Sequence, residues 1–324
     1  MRLQDYKTNL THTLKALDAL PHAPLDSDTS ALKEAFEIAY GYGLFGVYKI
    51  DDGDHQAHAR FELFVKLTPY SGALVFLGIQ ILAANSIMQR NHFPRSTYYF
   101  GKRCGIAINH LRANRTIVSA TACEGGYCVS GRLSWASGYG IFDTLLVGFH
   151  HEGYEYMAMM PFEAGESIRI GSPAQSFAGN AMATVDIVLD GLFIPQEDIV
   201  AYTPIGSYTR AKSISKTVHI AIYSLGVAAI GACSDSQVAQ EGRKRLERLR
   251  DRFLLSSDGE EMDRLRIELF GVVQEIITTA MVLYGGRSIL IQEHLQRYYR
   301  ELIMFNANGL NATIKGLFKE RFLC

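Results

Sequence analysis

The chain is poor in the residues that would place it in a specialised class. Its 324 residues include only five cysteines, eight prolines and one tryptophan, and its formal net charge is -1. The cysteines (Cys104, Cys123, Cys128, Cys233 and Cys324) are odd in number and form no CxxC pair, which argues against a disulfide framework and against zinc. Near-neutral charge leaves no field to gather nucleic acid. The opening MRLQDYKTNLTHTLKALDAL has no apolar core followed by a small-residue cleavage site, so no secretory leader is expected. A cytoplasmic protein with reduced thiols is expected instead, and the Asn114-Arg115-Thr116 sequon then carries no meaning. No long hydrophobic run occurs. The most apolar stretch, Gly72 to Met88, is broken by Gln80 and Asn85 and falls short of the roughly 20 residues a membrane span needs. It reads as a buried core helix, and no membrane partner is expected.

What is present fits an ordinary globular protein of two or three domains, with 48% hydrophobic and 20% charged residues. Residues 1–103 read as a helical domain: Leu3, Tyr6, Leu10, Leu14 and Leu17 recur at helical spacing. SALKEAFEIAY (30–40) begins at a serine N-cap and stops before Gly41, and further apolar segments cover 59–68 and 72–90. Over 104–203, short β-branched and aromatic runs are separated by glycine turns, the pattern of an antiparallel β-domain. Residues 204–324 return to helical periodicity, with one long segment expected from Val218 to Leu249, then Met262–Leu283, Ser288–Phe305 and Asn311–Phe322. Helices, then strands, then helices is an α+β order, not the alternation of a dinucleotide-binding fold.

Several motifs dissolve on inspection. Gly41-Tyr42-Gly43-Leu44-Phe45-Gly46 fits GxGxxG, but the phosphate-binding use of that motif needs a strand before it and a helix after it, and here a helix precedes it. His150-His151-Glu152 sits beside a turn glycine, and adjacent histidines on a strand point to opposite faces, so a solvated hairpin turn is expected rather than a metal site. No GxSxG elbow, P-loop or HExxH is present. The informative segment is GGYCVSGRLSWASGYGIFDTLLVG (125–148). Trp135 and Ser137 are two positions apart, which on a regular strand puts them on one face. Such a pair suits a flat heteroaromatic ring, and it equally suits a core tryptophan near a strand end.

This segment resembles the "GY-x-L-x-G-x-K-x-W-x-T/S-G-x-x-x-A-D" hairpin of the acyl-CoA dehydrogenase superfamily. ATVDIVLDGLFIPQEDIV (183–200) resembles that family's strand ending in "V-P-x-E-x-V/I". Tyr284-Gly285-Gly286 followed by Gln296-Arg297-Tyr298-Tyr299-Arg300-Glu301 resembles "GG-x-G" followed by "R-x-x-R-D". The resemblance implies an N-terminal helical domain, a central antiparallel β-domain and a C-terminal helical bundle. It also implies FAD at a subunit interface of a homodimer or homotetramer. Trp135 would pack on the isoalloxazine, with Ala136 beside it and Ser137 hydrogen-bonding near N5. Gly285 and Gly286 would let the backbone approach a partner's FAD. Arg243 lies near the place of an arginine on the cofactor pyrophosphate, although EGRKRLERLRDRF stands there instead of "R-x-x-F-G" and suits a solvated helix as well. The usual "T/S-E-P-x-A-G-S-D" loop is replaced by a segment containing Asn109, which joins the candidate cofactor residues.

The family's catalytic glutamate has no counterpart. Its expected place falls at Asn308 or Gly309, and the alternative place after the β-domain holds Lys216, Thr217, Val218 and His219. The resemblance implies a flavin-dependent oxidoreductase that moves a hydride from an acyl thioester, carried on CoA or a carrier protein, to FAD. His219 or another carboxylate would then serve as base. The alternatives are a flavin-dependent monooxygenase of the same fold and a flavin-free scaffold, recognisable as a colourless protein.

Overall fold

Aspartates decide where the helices start. In the computed structural model, which describes residues 1–112, 117–210, 215–307 and 309–323, the Asp28 carboxylate accepts from the Ser30 and Ala31 amides and opens α2 (Thr29–Gly41). The cap is therefore Asp28 rather than Ser30, because its side chain reaches two orphan amides. Asp52 does the same for α3 (Gly53–Leu67), accepting from the His55 amide at 2.8 Å. The segment expected to be one helix from Val218 to Leu249 is two, α7 (Thr217–Ala232) and α8 (Ser236–Leu255). Asp235 accepts from the Val238 amide at 2.9 Å and restarts the chain after Cys233. Asp258 opens α9 (Gly259–Tyr284) in the same way. Gly43, in the GxGxxG-like segment, takes φ +74° after α2, and a 3-10 turn at Val47–Lys49 follows.

The chain divides into two compact units, one of Met1–Phe76, Phe177–Ala181 and Lys212–Cys324, the other of Leu77–Ser176 and Met182–Ala211. The first is helical. It holds α1 (Leu3–Leu17), α2, α3, the first turn of α4 (Gly72–Arg90), α7, α8, α9, α10 (His294–Ala307) and α11 (Ala312–Leu323). At its centre is α7, buried from His219 to Gly226 and again at Ala229 and Ile230. It packs against α3, α8, α9 and α10. The apolar length of α7 is thus satisfied within the chain. α4 and the segment Gly259–Ile289 are long and apolar enough to cross a membrane, and the first is mostly buried in the protein.

The second unit holds the sheet. Its strands are β1 (Cys104–Ala107), β2 (Val118–Cys123), β3 (Gly126–Ala136), β4 (Thr144–His151), β5 (Tyr154–Pro161), β6 (Ile168–Ile170), β7 (Val185–Pro195) and β8 (Ile199–Pro204). The order is β6-β7-β3-β2-β4-β5-β8, with β1 also on β4. The pairings are antiparallel except two: β1 on β4, and the single Ser119–His150 step between β2 and β4, are parallel. A core of Ile87, Met88, Phe93, Tyr99, Leu146 and Met159 lies between the sheet and the later turns of α4 with α5 (Ser96–Phe100). The Ile194–Ile199 turn is tied to α5: Asp198 accepts from Arg95 and from the Tyr99 hydroxyl, each at 2.6 Å.

β3 carries two irregularities against β7, between Val129 and Gly131 and between Leu133 and Ala136. At the first, Gly131 has φ +142°, and an added Cβ would stand 2.3 Å from the Ile117 carbonyl oxygen. Neither the dihedral nor the space admits a side chain. Gly131→Ala should therefore destabilise the protein by more than about 1 kcal/mol, whereas Gly41→Ala, at a helical position with nothing within 4 Å, should be neutral or stabilising. Urea midpoints of the two variants check this.

Candidate functional site

The second irregularity builds the candidate site. Leu133 pairs with Ile187 and Ala136 with Val185, so Ser134 and Trp135 together oppose one residue of β7. This β-bulge breaks the alternation of the strand. Leu133 and Ala136 are both fully buried, while Trp135 is turned outward with 71% of its surface exposed and φ +62°. Positive φ is a genuine outlier for so bulky a residue. Trp135 and Ser137 therefore do not share a strand face: the bulge intervenes and β3 ends at Ala136. Ser137 is 6% exposed, and its hydroxyl is 2.8 Å from that of Thr184.

The backbone around the pair is held tightly. The Gly138 amide donates to the Met182 carbonyl at 2.6 Å, and Ala183, between Met182 and Thr184, has φ +45°. Gly138 has φ +91°, and a Cβ there would meet the Phe142 ring at 2.3 Å. Gly138 in turn accepts from the Ile141 and Phe142 amides. Two non-glycine residues at positive φ, Trp135 and Ala183, thus flank a part-buried hydroxyl pair, Ser137 and Thr184. Strain of this kind costs about 1–3 kcal/mol per residue and collects at functional sites.

The other sequence-derived candidates fall in both compact units. Asn109 is exposed at the start of a 3-10 turn, Asn109–Arg112, in the same unit as Trp135, Ala136 and Ser137. Arg243, Gly285 and Gly286 belong to the helical unit. Arg243 is exposed on α8, and α7 has already ended at Ala232. Gly285 caps α9 with φ +76°, and no atom lies within 4 Å of a Cβ position at either glycine. His150, expected in a solvated turn, is 7% exposed, and neither ring nitrogen has a hydrogen-bond partner. His151 points the other way, onto the Ala120 carbonyl at 3.0 Å. The solvated residues are Glu152 and Gly153, which form the turn itself.

The Arg297–Glu301 motif joins distant parts of the helical unit. Arg297 donates to the Tyr70 and Pro69 carbonyls at 2.6 and 2.5 Å, satisfying the chain where it leaves α3. One turn later, Glu301 accepts from the Gly72 amide at 2.8 Å, the start of α4. Arg300 binds Asp26 at 2.5 Å and the Phe177 carbonyl at 2.9 Å. A cavity of about 390 Å³ opens beside these groups, lined by Asp26, Asn180, Gln292, His294, Gln296 and Arg300. No sequence motif marks it, because its walls come from three separated segments, 23–27, Asn180 and 291–300.

Solved structures share this architecture from end to end. Butyryl-CoA dehydrogenase from Megasphaera elsdenii superposes with a TM-score of 0.75 at 12% identity, covering 99% of this chain and 98% of that one. The chain has the acyl-CoA dehydrogenase fold. KijD3, solved with FMN and a dTDP-linked amino keto sugar, matches at 0.76 and 14% identity over 98% of this chain and 94% of that one. The HsaA monooxygenase from M. tuberculosis matches at 0.70 and 13% identity over 100% and 98%. No family model and no curated protein sequence matches the chain.

Within the acyl-CoA dehydrogenase fold the two expected base positions can now be compared. Asn308 lies outside the described residues. α10 ends at Ala307, and Gly309 takes φ +61°, the left-handed geometry that ends helices. His219 is 5% exposed in the helical core, with Nε2 2.8 Å from the Met262 carbonyl. Burial pushes its pKa down to about 4. It is a neutral core residue, not a base facing substrate.

Glu301 is fully buried, and desolvation pushes its pKa up to about 7 against the opposing pull of Arg297 and the Gly72 amide. The folded chain therefore holds this proton more tightly than the unfolded chain. That contribution to stability is complete below the ordinary glutamate value and is lost as pH rises toward about 7. Glu301→Gln keeps an acceptor for Gly72 and removes the titration. Its urea midpoint should vary less between pH 4.5 and 7 than that of the wild type.

Proposed function

We propose that the chain is a flavin-dependent oxidoreductase in which Trp135 receives the isoalloxazine ring of FAD. The observation that carries this reading is the indole itself, 71% exposed and held outward by a bulge with φ +62°. A tryptophan retained only for packing would be buried, and this one offers a flat apolar face instead. Close to it in the chain, the Ser137 and Thr184 hydroxyls lie 2.8 Å apart and tie the residues after β3 to those before β7. The open space around Gly285 and Gly286 supports approach by a second molecule. The exposed Val282, Leu283, Ile289, Leu290 and Ile291 support a homodimer or homotetramer that covers them. Exposed Arg243 is available to an anionic cofactor phosphate. Bound flavin would supply hydride or electron acceptance at its ring.

The reaction turns on the base. Dehydrogenation of an acyl thioester, on CoA or a carrier protein, requires a positioned group to take the Cα proton. Among the described residues Gly309 has no side chain for it, and His219 is committed to the core. A monooxygenase reaction does not need that carboxylate, and this favours it as the second reading. A cytoplasmic setting with reduced thiols suits either.

Trp135→Ala should weaken FAD retention, with about 0.5–1.5 kcal/mol lost beyond the contact area, while leaving the thermal midpoint nearly unchanged. Equilibrium dialysis against FAD and FMN checks both the loss and the choice of flavin. Anaerobic mixing of the flavin-loaded protein with butyryl-CoA or octanoyl-CoA should give little bleaching, because absence of a base costs about 10²–10⁴ in rate. Rapid bleaching would restore the thioester reaction as the leading one, and a colourless protein that takes up no flavin would leave the scaffold reading.

A further inference from the structure

Two cysteines that the functional reading leaves unused come together. Cys123 ends β2 and Cys128 is the third residue of β3, on either side of the Glu124-Gly125 turn. In the hairpin register Cys123 faces Gly126 and Thr121 faces Cys128, so both thiols lie on one face, one diagonal step apart. Gly126 puts no side chain opposite Cys123, and none is possible there: a Cβ would stand 2.2 Å from the Ile194 carbonyl oxygen. The first β3 side chain that Cys123 meets on its own face is therefore Cys128. The two thiols interact, and the hydrogen bond with Cys128 pushes the Cys123 pKa up to about 11. Both are free and half-buried, whereas Cys104 is sealed in the core. Phe193 pairs with Cys128 from β7, is 49% exposed, and reaches to 4.0 Å of the Cβ position at Gly125. It makes an apolar wall beside the sulfurs.

We propose that Cys123, Cys128 and Phe193 form a dithiol site for one soft, thiophilic centre that carries an apolar substituent. Paired sulfurs select soft centres over hard ones. A direct disulfide fits less well. Diagonal cross-strand residues stand about 7–8 Å apart, beyond the roughly 4.4–6.8 Å between the Cα atoms of a disulfide. A bridging atom spans that distance without moving the hairpin. With phenylarsine oxide as the probe, each thiol gives up its proton, two As–S bonds form, and the oxide oxygen leaves as water. Arsenic stays trivalent, and nothing is oxidised or reduced.

The full-length reduced protein is treated with phenylarsine oxide, washed in excess monothiol, and analysed by mass spectrometry. One arsenical per chain should remain, mapped to the tryptic peptide between Arg115 and Arg132 that holds both cysteines, and 2,3-dimercaptopropanol should release it. Cys123→Ser and Cys128→Ser should each weaken retention at least about 100-fold, because the second sulfur binds intramolecularly. Cys233→Ser should change nothing. Absence of retained arsenical, its mapping to another peptide, or wild-type retention by either single variant would overturn the site.

Discussion

Leu133 and Ala136 must both reach the core from the same strand, and the candidate site follows from that requirement. On a regular strand, residues three apart face opposite sides. The chain meets the requirement by placing two residues, Ser134 and Trp135, against one on β7. The extra residue has nowhere to go but outward, and it is the tryptophan. Because β3 is held by β2 over Gly126–Gly131 and by β7 on either side of the bulge, the bulge cannot relax by slipping register. A slip would turn Val129, Leu133 and Ala136, all fully buried, toward solvent. The strain at Trp135 is therefore maintained by the packing of its neighbours.

The helical unit depends on a different device. α10 serves the ends of other helices: Arg297 takes carbonyls beyond α3, and Glu301 takes the first amide of α4. Its own end is served by buried Arg266, which donates to the Phe305 and Asn306 carbonyls at 3.2 and 2.7 Å. Helix termini leave backbone groups unsatisfied, and in a buried corner water cannot take them. Gly72 is needed at this corner for the same reason, since a Cβ there would stand 2.5 Å from the Glu301 carboxyl carbon. The Arg297–Glu301 motif is thus a packing element that carries charge for capping.

Element types were legible in the sequence because periodicity is local. The switch to strands near Cys104 and back to helices after Pro204 follows directly from it. What was not legible depends on contacts between distant residues. Asp28 and Asp235 act as caps through side-chain geometry, so local sequence points to Ser30 for one helix and gives no sign of the break at Cys233. The bulge at Trp135 arises from register with β7, which no local pattern states, and the same-face reading of Trp135 and Ser137 fails there. His150 looked like a turn residue because Gly153 is close in sequence, yet its strand continues through it into the interior. The cavity beside Arg300 draws on residues from Asp26 to Arg300 and had no signal at all.

The proposed role of the exposed indole as the flavin platform is directly measurable because of the composition. Trp135 is the sole tryptophan in the chain, so tryptophan emission reports on that site alone. Titration of the flavin-free protein with FAD, corrected for absorption by the flavin, should begin with the emission of a water-exposed indole. It should proceed to saturable quenching at one flavin per chain. Emission typical of a buried indole, or emission unchanged while dialysis shows FAD bound, would contradict this role and place the flavin away from Trp135.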